Sequence, residues 1–223
     1  MQKTNKHTVS SEQTKEKLIQ TGIRLFALYG VNGVRTRQLA EEAGVNQSAI
    51  PYHLDGKQGV YAAVIRKITD DLAAMTNAPQ ADFALQQLAQ QEIPGKESLR
   101  RVLVSLMNGL GQALLSPDHA LYAQLILREQ LEQTAHYDVI YQTFILPVHE
   151  RLTSLICLTD PRTDMQTAII AAHALIGQIL GFVVAKKAYL RRSGLERISD
   201  NELVLILHQV TTLSCRALGF DAD

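Results

Sequence analysis

Thr36-Arg37-Gln38-Leu39-Ala40-Glu41-Glu42-Ala43-Gly44-Val45-Asn46-Gln47-Ser48-Ala49-Ile50-Pro51-Tyr52-His53-Leu54 holds two short helical patterns separated by Gly44-Val45-Asn46. Leu39, Val45, Ile50 and Leu54 supply a small core, while Ala40 and Ala43 are small enough to let two helices approach closely. Glycine tolerates the positive φ that a sharp inter-helix turn needs, so Gly44 is expected to end the first helix and reverse the chain. Two short helices joined in this way have helix-turn-helix geometry, in which the second fits the major groove of DNA. A plain helical hairpin shares the bare pattern, so the surrounding residues decide between the two.

On the N-terminal side, a helix is expected from Ser10 or Ser11, with Ser10 and Gln13 placed as a capping box. Leu18, Ile19, Ile23, Phe26 and Ala27 form its apolar stripe, Gly30 stops it, and Asn32-Gly33 makes a turn. Thr36 is a suitable N-cap for the next helix, which ends at Gly44. A third helix runs from about Gln47 to Leu54, and the Asp55-Gly56 turn leads into a fourth from Lys57 to about Met75. Past Asn77-Ala78-Pro79 the spacing predicts helices near 80–91, 96–115, 118–133, 137–159, 163–192 and 200–218, with no fixed repeat and no sustained strand-like alternation. The expectation is an all-α chain: a tail over 1–10, a three-helix DNA-binding domain over 11–75 with its helix-turn-helix at about 36–54, and a helical ligand-binding and dimerisation domain over 76–223.

Residues 11–75 resemble the DNA-binding domain of the TetR family of bacterial repressors. The resemblance rests on Phe26-Ala27-Leu28-Tyr29-Gly30, then Thr36-x-x-Leu39-Ala40, Ala43-Gly44-Val45, Tyr52-His53-Leu54 and Lys57, in that order and spacing. Arg128-Glu129-Gln130, Leu146-Pro147-Val148-His149 and His173-Ala174-Leu175-Ile176-Gly177 look like the CecR-like subgroup of the same family. The resemblance implies a homodimeric transcription regulator, most simply a repressor released from a palindromic operator by a small molecule. A constitutive DNA-binding regulator or activator without a small-molecule ligand is the alternative. Gln47, Ser48 and Ala49 would open the recognition helix and face base edges, with Thr36, Arg37, Tyr52, His53 and Lys57 at the DNA and most of these on phosphates. Two positions depart from the family. Leu54 stands where an aromatic is usual, and Pro51, beyond the most favoured proline position, is expected to remove one helical hydrogen bond.

The charge distribution agrees with a single module touching phosphates. Net charge is zero, yet residues 1–57 carry eight Lys/Arg against five Asp/Glu, and the remainder fourteen against seventeen. With no Trp and 5% aromatic residues, no stacking platform for single strands is expected. Cys157 and Cys215 lie far apart in apolar patterns, which fits reduced thiols in the cytoplasm. Met1 to Ser10 has no apolar signal core. Ala168 to Ala185 is nearly long enough to span a bilayer, but His173 and Gln178 interrupt it and interfacial anchors are missing, so it is expected to be buried in protein.

No nucleophile elbow, phosphate loop or catalytic carboxylate pair appears, so no enzyme is expected; nor is a cofactor or a metal site. The helices over 163–192 and 200–218 crowd small and aliphatic residues (Ala171, Ala174, Gly177 and Gly181; Leu203, Ile206, Val210 and Leu213), as a four-helix dimer interface requires and a monomer core also permits. Four polar residues are candidates for ligand contact: Arg128, Glu129, His149 and His173. For Arg128 the competing expectation is a solvated pair with Glu132 one turn on, and for the histidines a place in the core. Pro147 should kink the helix over 137–159 and open space beside His149.

Overall fold

The computed structural model describes residues 3–76 and 78–220, with side chains for 11–76 and 79–220. Among these the regular structure is helical throughout: α1 (Lys3–Gly33), α2 (Thr36–Ala43), α3 (Ala49–Leu54), α4 (Lys57–Met75), α5 (Ala78–Ala89), α6 (Lys96–Leu115), α7 (Ala120–Glu132), α8 (Tyr137–Ile140), α9 (Leu146–Thr159), α10 (Met165–Val184), α11 (Lys186–Ser193) and α12 (Asp200–Ala217). A short 3₁₀ turn, Pro117–His119, precedes α7, and a π-turn, Tyr141–Ile145, joins α8 to α9. α1 starts at Lys3 rather than Ser10, because residues 3–10 contain neither Gly nor Pro to stop it. Of the expected tail, Met1 and Gln2 lie outside the described residues, as do the side chain of Ser10 in the expected capping box and Asn77 in the expected break.

The chain divides into two compact units: Met1–Thr69 with Gln124–Ile140, and Asp70–Ala123 with Tyr141–Asp223. This differs from a single boundary near residue 75, since seventeen residues far along the sequence join the N-terminal unit. In that unit Leu18, Ile23 and Phe26 of α1, Leu39 of α2, Ile50 of α3 and Val60, Val64 and Ile68 of α4 are buried together with Leu125 and Ile140. Phe26 meets Tyr61 edge-on, with ring centroids 5.1 Å apart, a favoured aromatic geometry. Gly30, at φ 69° and ψ 166°, breaks α1 where the sequence places its stop.

In the second unit α6 is the central rod, burying Leu99, Leu103, Met107, Leu110 and Leu114 against α5, α9, α10 and α12. α10 buries one face through Ala168, Ala172, Leu175 and Ile179. Its other face is open: Met165, Ile170 and Val184 are exposed by 62%, 60% and 70%. α10 is therefore not the buried helix that its apolar run predicts, although its length and composition also match those of a membrane-crossing helix. The helix expected over 163–192 divides at Ala185, whose φ of −98° and ψ of 24° separate α10 from α11. Cys157 and Cys215 form no disulfide, and Cys215 is buried.

The tightest backbone constraint in the first unit lies where α4 leaves α3. A Cβ on Gly59 would fall on the carbonyl oxygen of Leu54, whereas one on Gly44 would meet open space and only the strain of φ 64°. Gly59→Ala is therefore expected to cost about 2–4 kcal/mol in urea unfolding and Gly44→Ala about 1 kcal/mol.

Candidate functional site

The helix-turn-helix is built from backbone closure at each end of its turn. Gly44, in the left-handed region, ends α2, and the N–H of Val45 returns to the carbonyl of Ala40 at 3.0 Å. Thr36 is the first helical residue and not the cap. Arg35 holds the cap position in extended backbone and makes no side-chain bond there. Asn46 starts the next element: its Oδ1 accepts from the N–H and the hydroxyl of Ser48 at 3.0 and 2.9 Å. Gln47 and Ser48 thus form a lead-in turn, so α3 begins at Ala49, later than Gln47. Pro51 consequently sits third in α3, among the first-turn positions whose N–H groups have no intrahelical partner, and the expected loss of a hydrogen bond does not arise. Asp55, at φ 52°, closes α3 by returning its N–H to Ile50.

On this frame Arg37, Gln47, Ser48 and Tyr52 are exposed, Tyr52 by 83%, and Thr36, Ala49, His53 and Lys57 are half-buried. Several are already engaged. Arg37 donates to Glu41 at 2.7 Å one turn on, and that pairing raises its pKa. His53 Nδ1 lies 3.2 Å from the Ser11 hydroxyl and its ring meets that of Tyr52 edge-on. Lys57 Nζ donates to the carbonyl of Val34 at 2.9 Å, fixing the start of α4 against the entry to α2. Arg24 of α1 pairs with Glu42 of α2, which Gln38 also contacts, and both bonds lower the Glu42 pKa. This clamp, invisible in the spacing, joins residues eighteen apart.

Of the four residues expected around a ligand, Arg128 and Glu129 are bonded within the first unit, and His149 and His173 lie in the second. Glu129 is fully buried in the first unit, accepting from the Tyr61 hydroxyl at 2.5 Å and from the Thr134 hydroxyl at 3.0 and 2.9 Å. Burial, and then the hydrogen bond to Glu129 and its charge, push the Tyr61 pKa well above its ordinary value, so the phenol remains a donor. Arg128 makes the 2.7 Å pair with Glu132, and its guanidinium packs where a side chain on Gly30 would stand. His149 and His173 do meet, in the second unit: their rings stack with centroids 5.4 Å apart.

Beside them runs a cleft of about 710 Å³ lined from the π-turn, α9 and α10. Ile145, Leu146, Met165 and Ile169 give it apolar walls; Tyr141, His149, Thr153 and Ser154 give polar ones; and Glu150 is its one charged lining residue. The kink predicted from Pro147 is realised one turn earlier, as the π-turn, leaving Pro147 in the first turn of α9 where it removes no helical bond. Among the described residues no group of three or more His, Cys, Asp or Glu is placed to hold a metal ion.

A helix-turn-helix head with an exposed recognition helix, joined to a larger helical body, defines a DNA-binding transcription regulator. The comparisons give the family. Residues 18–64 match the family described as bacterial regulatory proteins, tetR family, and residues 95–218 match the C-terminal domain of the HTH-type transcriptional dual regulator CecR. The chain is 32% identical to CecR of Shigella flexneri, covering 92% of this chain and 91% of that one. It is also 32% identical over 81 residues to the transcriptional regulator RutR of Escherichia coli K12, covering 36% and 38% of the two chains. A transcriptional regulator of Rhodococcus sp. Rha1 superposes with a TM-score of 0.60 at 16% identity, over 91% of this chain and 96% of that chain. HlyIIR, a hemolysin II transcriptional regulator, does so at 0.55 and 18%, over 90% and 98%. The chain belongs to the TetR family of bacterial transcription regulators, with a CecR-type C-terminal domain, and is not an enzyme.

His149 gives the body a pH dependence. Its pKa is lowered, by burial first and then by the charge of His173. A depressed histidine binds its proton less readily folded than unfolded. Its stabilising effect is therefore complete above the ordinary value of about 6.5 and is lost as pH falls through the lowered one. Thermal melting of the full chain should fall between about pH 7 and about pH 5, and His149→Gln should shrink that fall.

Proposed function

We propose that the protein is a homodimeric repressor that leaves a near-palindromic operator when a small molecule occupies its body. One observation carries the DNA-binding part: Gln47 and Ser48 stand exposed at the opening of α3, flanked by Tyr52, Thr36 and Lys57. Gln47 and Ser48, with Ala49, would read base edges. Thr36, Arg37, Tyr52, His53 and Lys57 would hold the backbone, the ammonium of Lys57 retaining two N–H groups beyond the bond to Val34. A cytoplasmic location follows from that role.

The dimer reading rests on apolar surface. α10 exposes Ile170 and Val184, and α12 exposes Val204, Leu205 and Leu213, with Ala174, Gly177 and Gly181 also open on α10. A second copy covering these faces in a four-helix bundle removes them from water. Two recognition helices related by the dyad would then meet DNA roughly 34 Å apart, or somewhat more.

Ligand response has a covalent route. The segment 124–140 belongs to the head, and Ile140 passes directly into the π-turn at Tyr141, a residue of the cleft wall. A ligand that shifts this turn pulls on α8 and, through Thr134 and Glu129, on Tyr61 of α4, at whose start Lys57 holds Val34. The coupling needed is about 1–3 kcal/mol and must be reciprocal. The test is a pair of titrations, ligand with and without operator and operator with and without ligand. Equal affinities in both would leave a constitutive regulator. The description of the Shigella relative as a dual regulator supports activation at some promoters as a second reading.

Two outcomes follow. Gln47→Ala should change base preference by about 1–3 kcal/mol at one position of each half-site, while Lys57→Ala should weaken all duplexes about equally and flatten the salt slope by about one unit. Light scattering at micromolar concentration should give twice the chain mass of 24.7 kDa, and Val204→Glu with Leu205→Glu should halve it.

A further inference from the structure

Charge decides which molecules suit the cleft beside the histidine pair. Its lining contains no Lys or Arg, and its one formally charged residue is Glu150, which is exposed. The nearest cation along α9, Arg151, is turned away and consumed: it donates to both oxygens of Asp82 on α5 at 2.7 and 3.0 Å. His149 stacks on His173 at 5.4 Å, and burial and then the charge of that neighbour disfavour its imidazolium form, so His149 offers a neutral ring nitrogen. The polar wall is therefore a carboxylate and uncharged acceptors, with the hydroxyls of Thr153 and Ser154 as adaptable partners. Ile145 and Leu146 beside it, and Met165 and Ile169 on α10, are aliphatic or thioether surface.

We propose that this cleft binds a small organic cation, an amine with a flat apolar body. Its ammonium lies at Glu150 and the ring nitrogens of His149, and its body lies against Met165, Ile169 and Leu146. An ammonium needs acceptors and a counter-charge, and both are present on one wall. A carboxylate of the same shape meets Glu150 without a cation to offset it. The volume of about 710 Å³ is in the range of sites for drug-sized ligands, so the apolar body is limited by wall chemistry more than by space. The inference rests on the ligand-responsive reading above and names the class of ligand to which that response would belong.

The test uses the full chain and three probes on one skeleton: 1-naphthylmethylamine, 1-naphthylmethanol and 1-naphthoate, titrated calorimetrically near neutral pH. The amine should bind at least tenfold tighter than the carboxylate. Glu150→Gln, an exposed substitution that leaves the core intact, should abolish the preference of amine over alcohol and leave the affinity of the alcohol unchanged. Ile169→Glu should weaken the alcohol and the carboxylate. Tighter binding of 1-naphthoate, an amine affinity indifferent to Glu150→Gln, or no binding of any probe by a folded protein would each overturn the proposal; the last outcome is the one expected where a second copy fills the cleft. Operator affinity measured in the same samples separates the two readings. Amine bound through Glu150 with unchanged operator affinity upholds the ligand class and removes the inducer reading. Operator release by 1-naphthoate alone retains the inducer reading and removes the class.

Discussion

A carboxylate with no exposure to solvent has to be answered by donors, and in this protein the answer organises the head. Glu129 receives the hydroxyls of Tyr61 and Thr134, with no cation paired to it among the described residues. Leaving such a group short of a donor costs about 1–3 kcal/mol or more, so the Tyr61–Glu129 bond holds residues from α4 and α7 in one place. Tyr61 also packs edge-on against Phe26 of α1 and against the ring of His136. One side chain thus joins the helix that precedes the helix-turn-helix, the helix that follows it, and a segment nearly seventy residues further on. Arg128, next to Glu129, adds a second contact by lying over Gly30, where the absence of a Cβ provides the room.

This constraint explains why the unit boundary is not a simple cut. α4 carries Lys57, bonded to Val34 at the entry to α2, and one turn later Tyr61, bonded to Glu129. Displacement of the 124–140 segment is therefore felt first by α4 and next by the recognition element it supports. The body contributes a different kind of surface. Its α6 core is closely filled, while α10 and α12 keep exposed apolar faces that a soluble monomer rarely tolerates.

Much of the head was legible because its signals are local. Gly44 and Asp55-Gly56 fix where α2 and α3 end, and of the apolar positions in the quoted stretch Leu39 and Ile50 are completely buried, while Val45 and Leu54 are half-buried. What misled was the fine placement of starts. Thr36 and Gln47 read as helix openings, but Arg35 and the Asn46–Ser48 turn take those roles, and Pro51 becomes harmless as a result. The break at Ala185 has no glycine or proline to announce it. Arg128 and Glu129 read as ligand contacts because polar residues inside an apolar helix ask for partners. Their partners lie in the head, with Tyr61 sixty-eight residues away from Glu129, a distance no periodicity reports. His149 and His173 stack beside a cleft, and the π-turn in its wall was visible only as a proline.

The role proposed for the head requires a symmetric pair of these recognition helices to read duplex DNA. Selection of binding sites from a pool of random duplexes by the purified full chain addresses it directly. The account predicts enrichment of a near-palindromic sequence whose half-sites lie about one helical turn apart or slightly more, with the pattern lost in a variant carrying Gln47→Ala and Tyr52→Ala. Enrichment of an asymmetric single site, or no enrichment by a protein that is folded and dimeric, would contradict it.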